Sequence, residues 1–238
     1  MDDSLDHIKR KVALAKHLGA TSVILSGGEP TIHPDLLSIA QTIHQSGLGF
    51  GLITNARRLA SPSFASALQD LGLNYVYASL HAPSPALHNH MVGAEAFDQS
   101  LTAIRWLATR VDQLYVNAVL TKANQGSLKQ FVELLAPIEK AKIKFTFPQP
   151  KGSALSAFQD VVPDIGDAAM EVREVLSSSI GRLPRGRFGH EGFPLCLLPG
   201  FEDLHDDLVS HGITHISNVA DEAFEPVERD LFVHERVC

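Results

Sequence analysis

The stretch SVILSGGEPTIHPDLLSIA, residues 22–40, decides how the 238-residue chain is interpreted. Its opening apolar run predicts a short buried strand, and a helical pattern follows the prolines. Between them, Gly27 and Gly28 permit backbone angles that a Cβ forbids and allow a ligand to approach closely. The Glu29 carboxylate, held beside them by Pro30, suits a primary ammonium group better than a phosphate. An ordinary tight turn with a solvated glutamate is the alternative interpretation.

Strand and helix patterns alternate from this stretch in both directions, up to about residue 150. The predicted strands cover residues 22–25, 48–54, 74–80, 113–120 and 142–147. The predicted helices cover residues 5–20, 33–47, 61–72, 96–111 and 124–141. This alternation is typical of a parallel sheet with right-handed crossovers. Five strands are too few for a complete eight-stranded barrel, so an open or partial barrel and a doubly wound sheet remain as alternatives.

Polar residues gather where these predicted strands end. In both remaining folds, ligands bind at the carboxyl ends of the strands. The strand ends are Ser26-Gly27-Gly28-Glu29, Thr54-Asn55, Ser79-Leu80-His81, Asn117 with the more distant Thr121, and Phe147-Pro148. We therefore expect this edge of the sheet to be a binding face.

The sequence changes character after about residue 150. Turn-forming residues become frequent, a helix is predicted over 170–180, and residues 181–200 are rich in Pro and Gly, which predicts a loop. The segment 201–238 is acidic and weakly periodic. We therefore predict a core over residues 1–150 and an irregular C-terminal region over residues 151–238.

Composition excludes several classes of function. The formal net charge of -7 and the pI near 5.9 argue against a nucleic-acid surface, which needs clustered Lys and Arg. No apolar run approaches the roughly 20 residues that span a bilayer, and the N-terminus lacks the apolar centre of a signal peptide. The chain has two cysteines, Cys196 and Cys238, far apart in sequence. The sequence thus predicts a cytoplasmic protein that binds neither nucleic acid nor membrane.

Five segments in order resemble the radical S-adenosylmethionine (SAM) family. LSGGEPTIHPDL is similar to the GGEP motif on the family's second strand, and LITNARRLA resembles the third-strand segment, with Ala56 where the family usually has glycine. YASLHAPSPALHNHMVG resembles the fourth strand and the loop after it, and VNAVLTKAN and FPQPKGSA resemble the fifth and sixth strands. The resemblance covers residues 5–155. It implies an α/β fold, a partial (β/α)6 TIM-like barrel, here beginning at the helix before the second strand and carrying an irregular C-terminal extension.

The resemblance also implies roles for particular residues. The family's ammonium-binding turn corresponds to Gly27, Gly28 and Glu29, with Pro30 shaping it. The other implied SAM contacts are Thr54 and Asn55 lining the pocket, Ser79 and Asn117 near the ribose or methionine carboxylate, and the Phe147 backbone near the adenine.

Cysteines mark the main departure from the family. Its [4Fe–4S] cluster needs three cysteines, usually CxxxCxxC, after the first strand, whereas this sequence has no cysteine before Cys196. Two interpretations follow. The favoured one is a fragment of a longer enzyme that cleaves SAM to a 5′-deoxyadenosyl radical and abstracts hydrogen from an unknown substrate. The other is a degenerate SAM-binding or scaffold domain without iron–sulfur chemistry. Whether this chain is itself an enzyme stays open.

The resemblance implies further partners. Cys196 and Cys238 match the first ligands of a C-terminal auxiliary iron–sulfur cluster found in some members. A small-molecule or peptide substrate and an electron donor such as a flavodoxin or ferredoxin are expected for the full-length enzyme. With the resemblance set aside, a barrel enzyme acting on a small phosphorylated or amino-acid substrate is the remaining alternative.

Overall fold

The computed structural model describes residues 4–149 and 157–206. These residues fall into two compact units. The first unit lies within Met1–Ala118 and Gly126–Lys144, and the second within Val119–Gln125 and Phe145–Cys238. The domain boundary expected at residue 150 stays a prediction.

The predicted α/β architecture is confirmed, with six parallel strands in one open sheet of order β1-β2-β3-β4-β5-β6. The strands are β1 Ser22–Leu25, β2 Gly49–Thr54, β3 Leu73–Ser79, β4 Gln113–Val119, β5 Ala141–Thr146 and β6 Phe188–Glu191. The helices are α1 Leu5–His17, α2 Leu36–Gln45, α3 Pro62–Asp70, α4 Pro85–Val92, α5 Phe97–Leu107, α6 Leu128–Leu135, α7 Phe158–Val161 and α8 Ile165–Ser179. None of the helices in the described ranges is long and apolar enough to cross a membrane.

Two of these elements differ from the sequence-based expectation. Residues Pro85–Val92 form helix α4, where a loop was expected after β3. Residues Phe188–Glu191 form strand β6, inside the stretch expected to be a loop. In addition, α8 begins at Ile165, five residues before the predicted helix, because the Asp164 side chain caps it by accepting from the N–H groups of Gly166 and Asp167.

Local signals set the other helix ends. The Ser4 side chain accepts a hydrogen bond from the His7 N–H and caps α1, while Gly19 has a φ of 81° just beyond its end. Helix α3 begins at Pro62, whose missing N–H costs nothing at the first helical position. The glycine after α1 and the proline at the start of α3 thus lie at helix ends in the structure, as their residue types predict.

Strand register divides the residues of the sheet in the first unit between two faces. Tyr77 pairs with Tyr115 and Ser79 with Asn117, so side chains two residues apart share a face. The opposite face of β3 and β4 is mainly apolar. On it lie Val76, Ala78, Leu114 and Val116, each at most 1% exposed. Helices α3 and α5 pack against β3, so the core of this unit lies between sheet and helices.

In the second unit, the turn after β6 lies directly against Phe147. The Phe147 N–H donates to the Glu191 carbonyl at 2.9 Å, and Gly192 follows with a φ of 84°. A Cβ at Gly192 would lie 2.6 Å from the Phe147 carbonyl oxygen, which only glycine avoids. Nearby, the Phe147 and Phe193 rings lie 5.4 Å apart. This close approach makes the turn after β6 specific for glycine.

Candidate functional site

The Glu29 carboxylate joins the loop after β1 to the end of β2. Its Oε1 accepts hydrogen bonds from the Thr31 N–H at 3.0 Å, the Thr31 hydroxyl at 2.6 Å and the Thr54 hydroxyl at 2.6 Å. Its Oε2 accepts from the Asn55 N–H at 2.7 Å. Thr31 is fully buried and Thr54 is 3% exposed, so these bonds are shielded from water. Sequence reasoning placed Glu29 and Thr54 at the site but missed Thr31 and the network among them.

The same network determines what Glu29 can still bind. A carboxylate offers about four acceptor positions, two on each oxygen. Oε1 already receives three donors and Oε2 receives one. One acceptor position therefore remains, and it lies on Oε2. The glutamate can still accept a hydrogen bond from a single further donor such as an ammonium N–H.

The glycines before Glu29 leave an open surface. Gly27 has a φ of 149°, in the region that disfavours other residues, and both Gly27 and Gly28 are exposed. A Cβ added at either position would meet nothing within 4 Å. Pro30 follows as the first residue of a short 3-10 helix, Pro30–Ile32. The turn therefore presents bare backbone to a ligand.

The end of β2 is held in an unusual backbone conformation. Ala56 has a φ of 62°, is fully buried, and is the one residue other than glycine with positive φ in the described chain. Its N–H donates to the Thr54 hydroxyl at 3.0 Å, and the Ser100 hydroxyl donates to the Asn55 carbonyl at 2.8 Å. The left-handed conformation explains why a glycine suits this position in the family that the segment resembles.

Ser79 and Asn117 lie side by side at the ends of β3 and β4. They are paired in register, and the Leu80 N–H donates to the Asn117 carbonyl at 3.0 Å. Thr54 pairs with Ala78, so the ends of β2, β3 and β4 follow one another along the sheet edge. The structure thus orders the strand-end residues of the first unit as the sequence predicts.

Two histidines after β3, the strand-end residue His81 and His88, form a pair that sequence reasoning did not bring together. The His81 N–H donates to Nδ1 of His88 at 3.1 Å, and the rings lie 5.8 Å apart. Burial, followed by the positive charge that His88 can carry, lowers the pKa of His81 to about 4. Burial also lowers the pKa of His88, which is 2% exposed. Both rings are therefore neutral at physiological pH, and His88 can accept the hydrogen bond.

The remaining predicted site residues lie in the second unit or beyond the described ranges. Phe147 is half-buried and its N–H is engaged with Glu191, which leaves only its carbonyl for a further partner. Cys196 is exposed in the short helix Leu195–Leu197, and Cys238 falls outside the described residues. Within the described ranges, no group of three or more His, Cys, Asp or Glu side chains could hold a metal ion.

Curated relatives match about three fifths of the chain. A probable GTP 3′,8-cyclase of Thermococcus kodakarensis is 29% identical over 154 residues, which cover 59% of this chain and 50% of that protein. A PqqA peptide cyclase of Ruegeria pomeroyi is 30% identical over 141 residues, covering 59% and 37% of the two chains. The chain spans half or less of the length of these curated relatives.

Solved structures share the fold. SuiB of Streptococcus suis bound to S-adenosylmethionine aligns with a TM-score of 0.63 and 18% identity, covering 81% of this chain and 44% of SuiB. SuiB bound to its precursor peptide SuiA aligns with a TM-score of 0.62 and 20% identity, covering 77% and 41%. The family model described as Radical SAM superfamily matches residues 1–135, more than half of the sequence. The chain therefore belongs to the radical SAM superfamily.

Proposed function

We propose that this chain is the SAM-binding core of a radical SAM enzyme. In complete form, such an enzyme reductively cleaves SAM at a [4Fe–4S] cluster to a 5′-deoxyadenosyl radical, which abstracts hydrogen from a substrate. The observation that supports SAM binding most directly is the turn at Gly27, Gly28 and Glu29. It combines exposed backbone with a fixed carboxylate that has one acceptor position left. A primary ammonium carries both the charge and the donors that this surface lacks.

This proposal assigns each strand end to one part of the SAM molecule. Glu29 Oε2 and the backbone carbonyls of the two glycines accept from the methionine ammonium. Thr54 and Asn55 are kept in place by Glu29 and line the pocket, with Pro30 fixing the turn. The polar side chains of Ser79 and Asn117 are assigned to the ribose and the methionine carboxylate. The Phe147 carbonyl is assigned to the adenine, because its N–H is already engaged.

The residues of this chain do not fit the family's radical-generating cluster. Such a cluster needs three thiolates, and the sequence contains two cysteines, Cys196 and Cys238, with none near the strand-end motifs. The cluster ligands would thus come from outside this sequence. Cys196 is disulfide-bonded in the structure, so an auxiliary cluster at Cys196 and Cys238 would require that disulfide to be reduced first. With that condition, the auxiliary cluster and an electron donor such as a flavodoxin or ferredoxin stay part of the proposal for the complete enzyme.

The shortage of cysteines also supports a second candidate function. A chain that binds SAM without iron–sulfur chemistry needs the strand-end pocket and no thiolates. Anaerobic reconstitution with iron and sulfide separates the two candidates. Formation of 5′-deoxyadenosine under reducing conditions, by this chain together with the segment that carries the cluster, supports the enzyme. SAM binding with no iron uptake in any form of the protein supports the binding domain.

Gly28→Ala tests the SAM site directly. Gly28 has no strained φ, and a methyl group there meets nothing within 4 Å, so folding should be unchanged. The methyl group would stand on the surface proposed for the ligand, so SAM affinity measured by calorimetry should fall about tenfold or more. Gly186→Ala is the control for a lost glycine, because Gly186 is also exposed, has no positive φ and has nothing within 4 Å of an added Cβ. Unchanged SAM affinity in Gly28→Ala would remove the glycine turn from the site.

A further inference from the structure

Arg58 connects the segment after β2 to the loop that carries Glu29. It lies in the short 3-10 helix Arg57–Ala60, and its Nη1 donates a hydrogen bond to the Thr31 carbonyl at 2.5 Å. Because the donor is cationic, this bond is stronger than one between two neutral groups. Thr31 in turn donates both its N–H and its hydroxyl to Oε1 of Glu29. A single residue therefore separates Arg58 from the Glu29 carboxylate.

An aromatic ring limits the directions that the Arg58 side chain can take. The guanidinium carbon lies 4.5 Å from the ring centroid of Phe64, in the first turn of α3. Phe64 is half-buried, and a guanidinium plane stacks well on such a ring. A long side chain loses rotamer entropy when it forms a hydrogen bond, and the contact with the ring reduces that loss. Phe64 thus favours the orientation in which Arg58 meets the Thr31 carbonyl.

The loop that Arg58 contacts has few backbone bonds of its own. Its regular part is the 3-10 helix Pro30–Ile32, with bonds from the Ile32 N–H to the Glu29 carbonyl at 3.3 Å and from the His33 N–H to the Pro30 carbonyl at 3.1 Å. The hydrogen-bond geometry of such a helix is poorer than that of an α-helix. The bond from Arg58 therefore gives the loop an attachment from outside, at the residue that contacts Glu29 twice.

We propose that Arg58 is a positioning residue for SAM, which acts through Thr31 to hold the Glu29 carboxylate in the orientation that receives the methionine ammonium. The inference rests on the proposed function, in which the remaining acceptor position on Oε2 takes that ammonium. A carboxylate that is ordered before the ligand arrives avoids an ordering cost on binding, and this raises affinity. A direct contact between Arg58 and the ligand is not part of the proposal.

Stabilisation of the fold alone is the competing explanation. An arginine over an aromatic ring stabilises a protein without any ligand. The two explanations differ in which ligands they affect, because 5′-methylthioadenosine has the adenine, ribose and sulfur of SAM but no ammonium. A positioning role weakens the binding of SAM and spares methylthioadenosine. A general loss of stability weakens the binding of both ligands or of neither.

Arg58→Met removes the guanidinium donors and keeps an unbranched side chain beside Phe64. Arg58 is exposed, so the variant should fold. Calorimetry on the full chain should show SAM binding weakened about fivefold or more, and methylthioadenosine binding within about twofold of the wild type. Arg57→Met is the matched control and should bind both ligands as the wild type does. The Arg57 side chain bonds Gln99 and the Glu95 carbonyl, neither of which belongs to the loop after β1.

Amide hydrogen exchange in the ligand-free chain separates this inference from the proposed function. The N–H groups of Thr31 and Asn55 both donate to Glu29, so they should exchange faster in Arg58→Met and at the wild-type rate in Arg57→Met. Faster exchange in a chain that binds no SAM would contradict the proposed function, while the link between Arg58 and Glu29 would stand.

Three results would overturn the inference itself. They are unchanged exchange in Arg58→Met, unchanged SAM affinity in that variant, and an equal loss of affinity for SAM and methylthioadenosine. Phe64→Leu serves if Arg58→Met does not fold, because it removes the ring beneath the guanidinium and leaves Arg58 in place. It should give the same difference between the two ligands, with a smaller loss of SAM affinity.

Discussion

Oε2 of Glu29 accepts a hydrogen bond from the backbone N–H of Asn55 at 2.7 Å, and this bond fixes the loop after β1 to the end of β2. With the three donors on Oε1, it makes Glu29 an organiser of the site as well as a candidate ligand. Variants of Glu29 should therefore change the stability of the fold and not only SAM affinity.

Glu29→Gln should lower the free energy of unfolding by about 1–3 kcal/mol, because an amide has a single acceptor oxygen for the four donors around it. Urea denaturation measures this change, and calorimetry should show weaker SAM binding in parallel. Thr54→Val removes one of the four donors and also leaves the buried Ala56 N–H without its acceptor, so a loss of about 1–3 kcal/mol is expected, while Thr54→Ser retains the hydroxyl and should resemble the wild type. An unchanged urea midpoint for Glu29→Gln would show that the network contributes nothing to stability.

Ala56→Gly should leave the free energy of unfolding unchanged or raise it by up to about 1 kcal/mol, because the left-handed φ of 62° is costly for alanine and free for glycine. Loss of the buried methyl group and the greater freedom of the unfolded chain offset part of the gain. Ala78→Gly is the matched control, since Ala78 is equally buried in the regular strand β3 and should lose stability. Thermal denaturation of both variants checks the prediction, and an equal loss in the two would contradict it.

The stability of the first unit should fall as the pH falls from about 6.5 to about 4. The folded state keeps His81 neutral down to a pKa of about 4, whereas the unfolded chain takes up the proton near 6.5. Within that window the unfolded state binds more protons, so acid favours unfolding, by up to about 3 kcal/mol in full. Urea midpoints at pH 7 and pH 5 should differ less in His81→Gln than in the wild type. His90→Gln, at an exposed position of α4, should behave as the wild type does.

Gly192→Ala should destabilise the second unit more than Gly200→Ala does. Both glycines have a φ of 84°, so both variants carry the same backbone strain. A Cβ at Gly192 would also lie 2.6 Å from the Phe147 carbonyl oxygen, whereas one at Gly200 meets nothing within 4 Å. We expect an additional loss of about 1–3 kcal/mol for Gly192→Ala, measured by thermal denaturation. Equal losses in the two variants would show that the turn after β6 can move away from Phe147.

Sequence patterns predicted the elements whose apolar residues repeat regularly and whose ends carry strong signals. Strands β1 to β5 have apolar or β-branched runs, and α3 has both Pro62 at its start and Gly72 beyond its end. Helix α4 was missed because its apolar residues form only a weak stripe among His88, Asn89 and His90. Strand β6 was missed because its four residues include a glycine and two polar side chains.

The candidate site was predicted less completely than the fold. The motif identifies Glu29, but residue types alone do not reveal that Thr31 and Thr54 both donate to one oxygen of its carboxylate. That arrangement depends on the distance between two strand ends, which only the folded sheet sets. The division of the sheet into two faces depends in the same way on strand register, because a shift of one residue would turn Tyr77 and Tyr115 to the helix side.

The Glu29 network also constrains how the turn could be moved between proteins. The Glu29 carboxylate accepts hydrogen bonds from two separate parts of the chain. Residue 31 lies in the loop itself, and residues 54 and 55 lie at the end of the next strand. A graft that carried only residues 26–33 into another α/β scaffold would bring a charge without half of its donors. A working graft would also need Thr54 and the left-handed backbone at Ala56 after β2. The smallest segment set that could be transferred is therefore the two adjacent strand ends together.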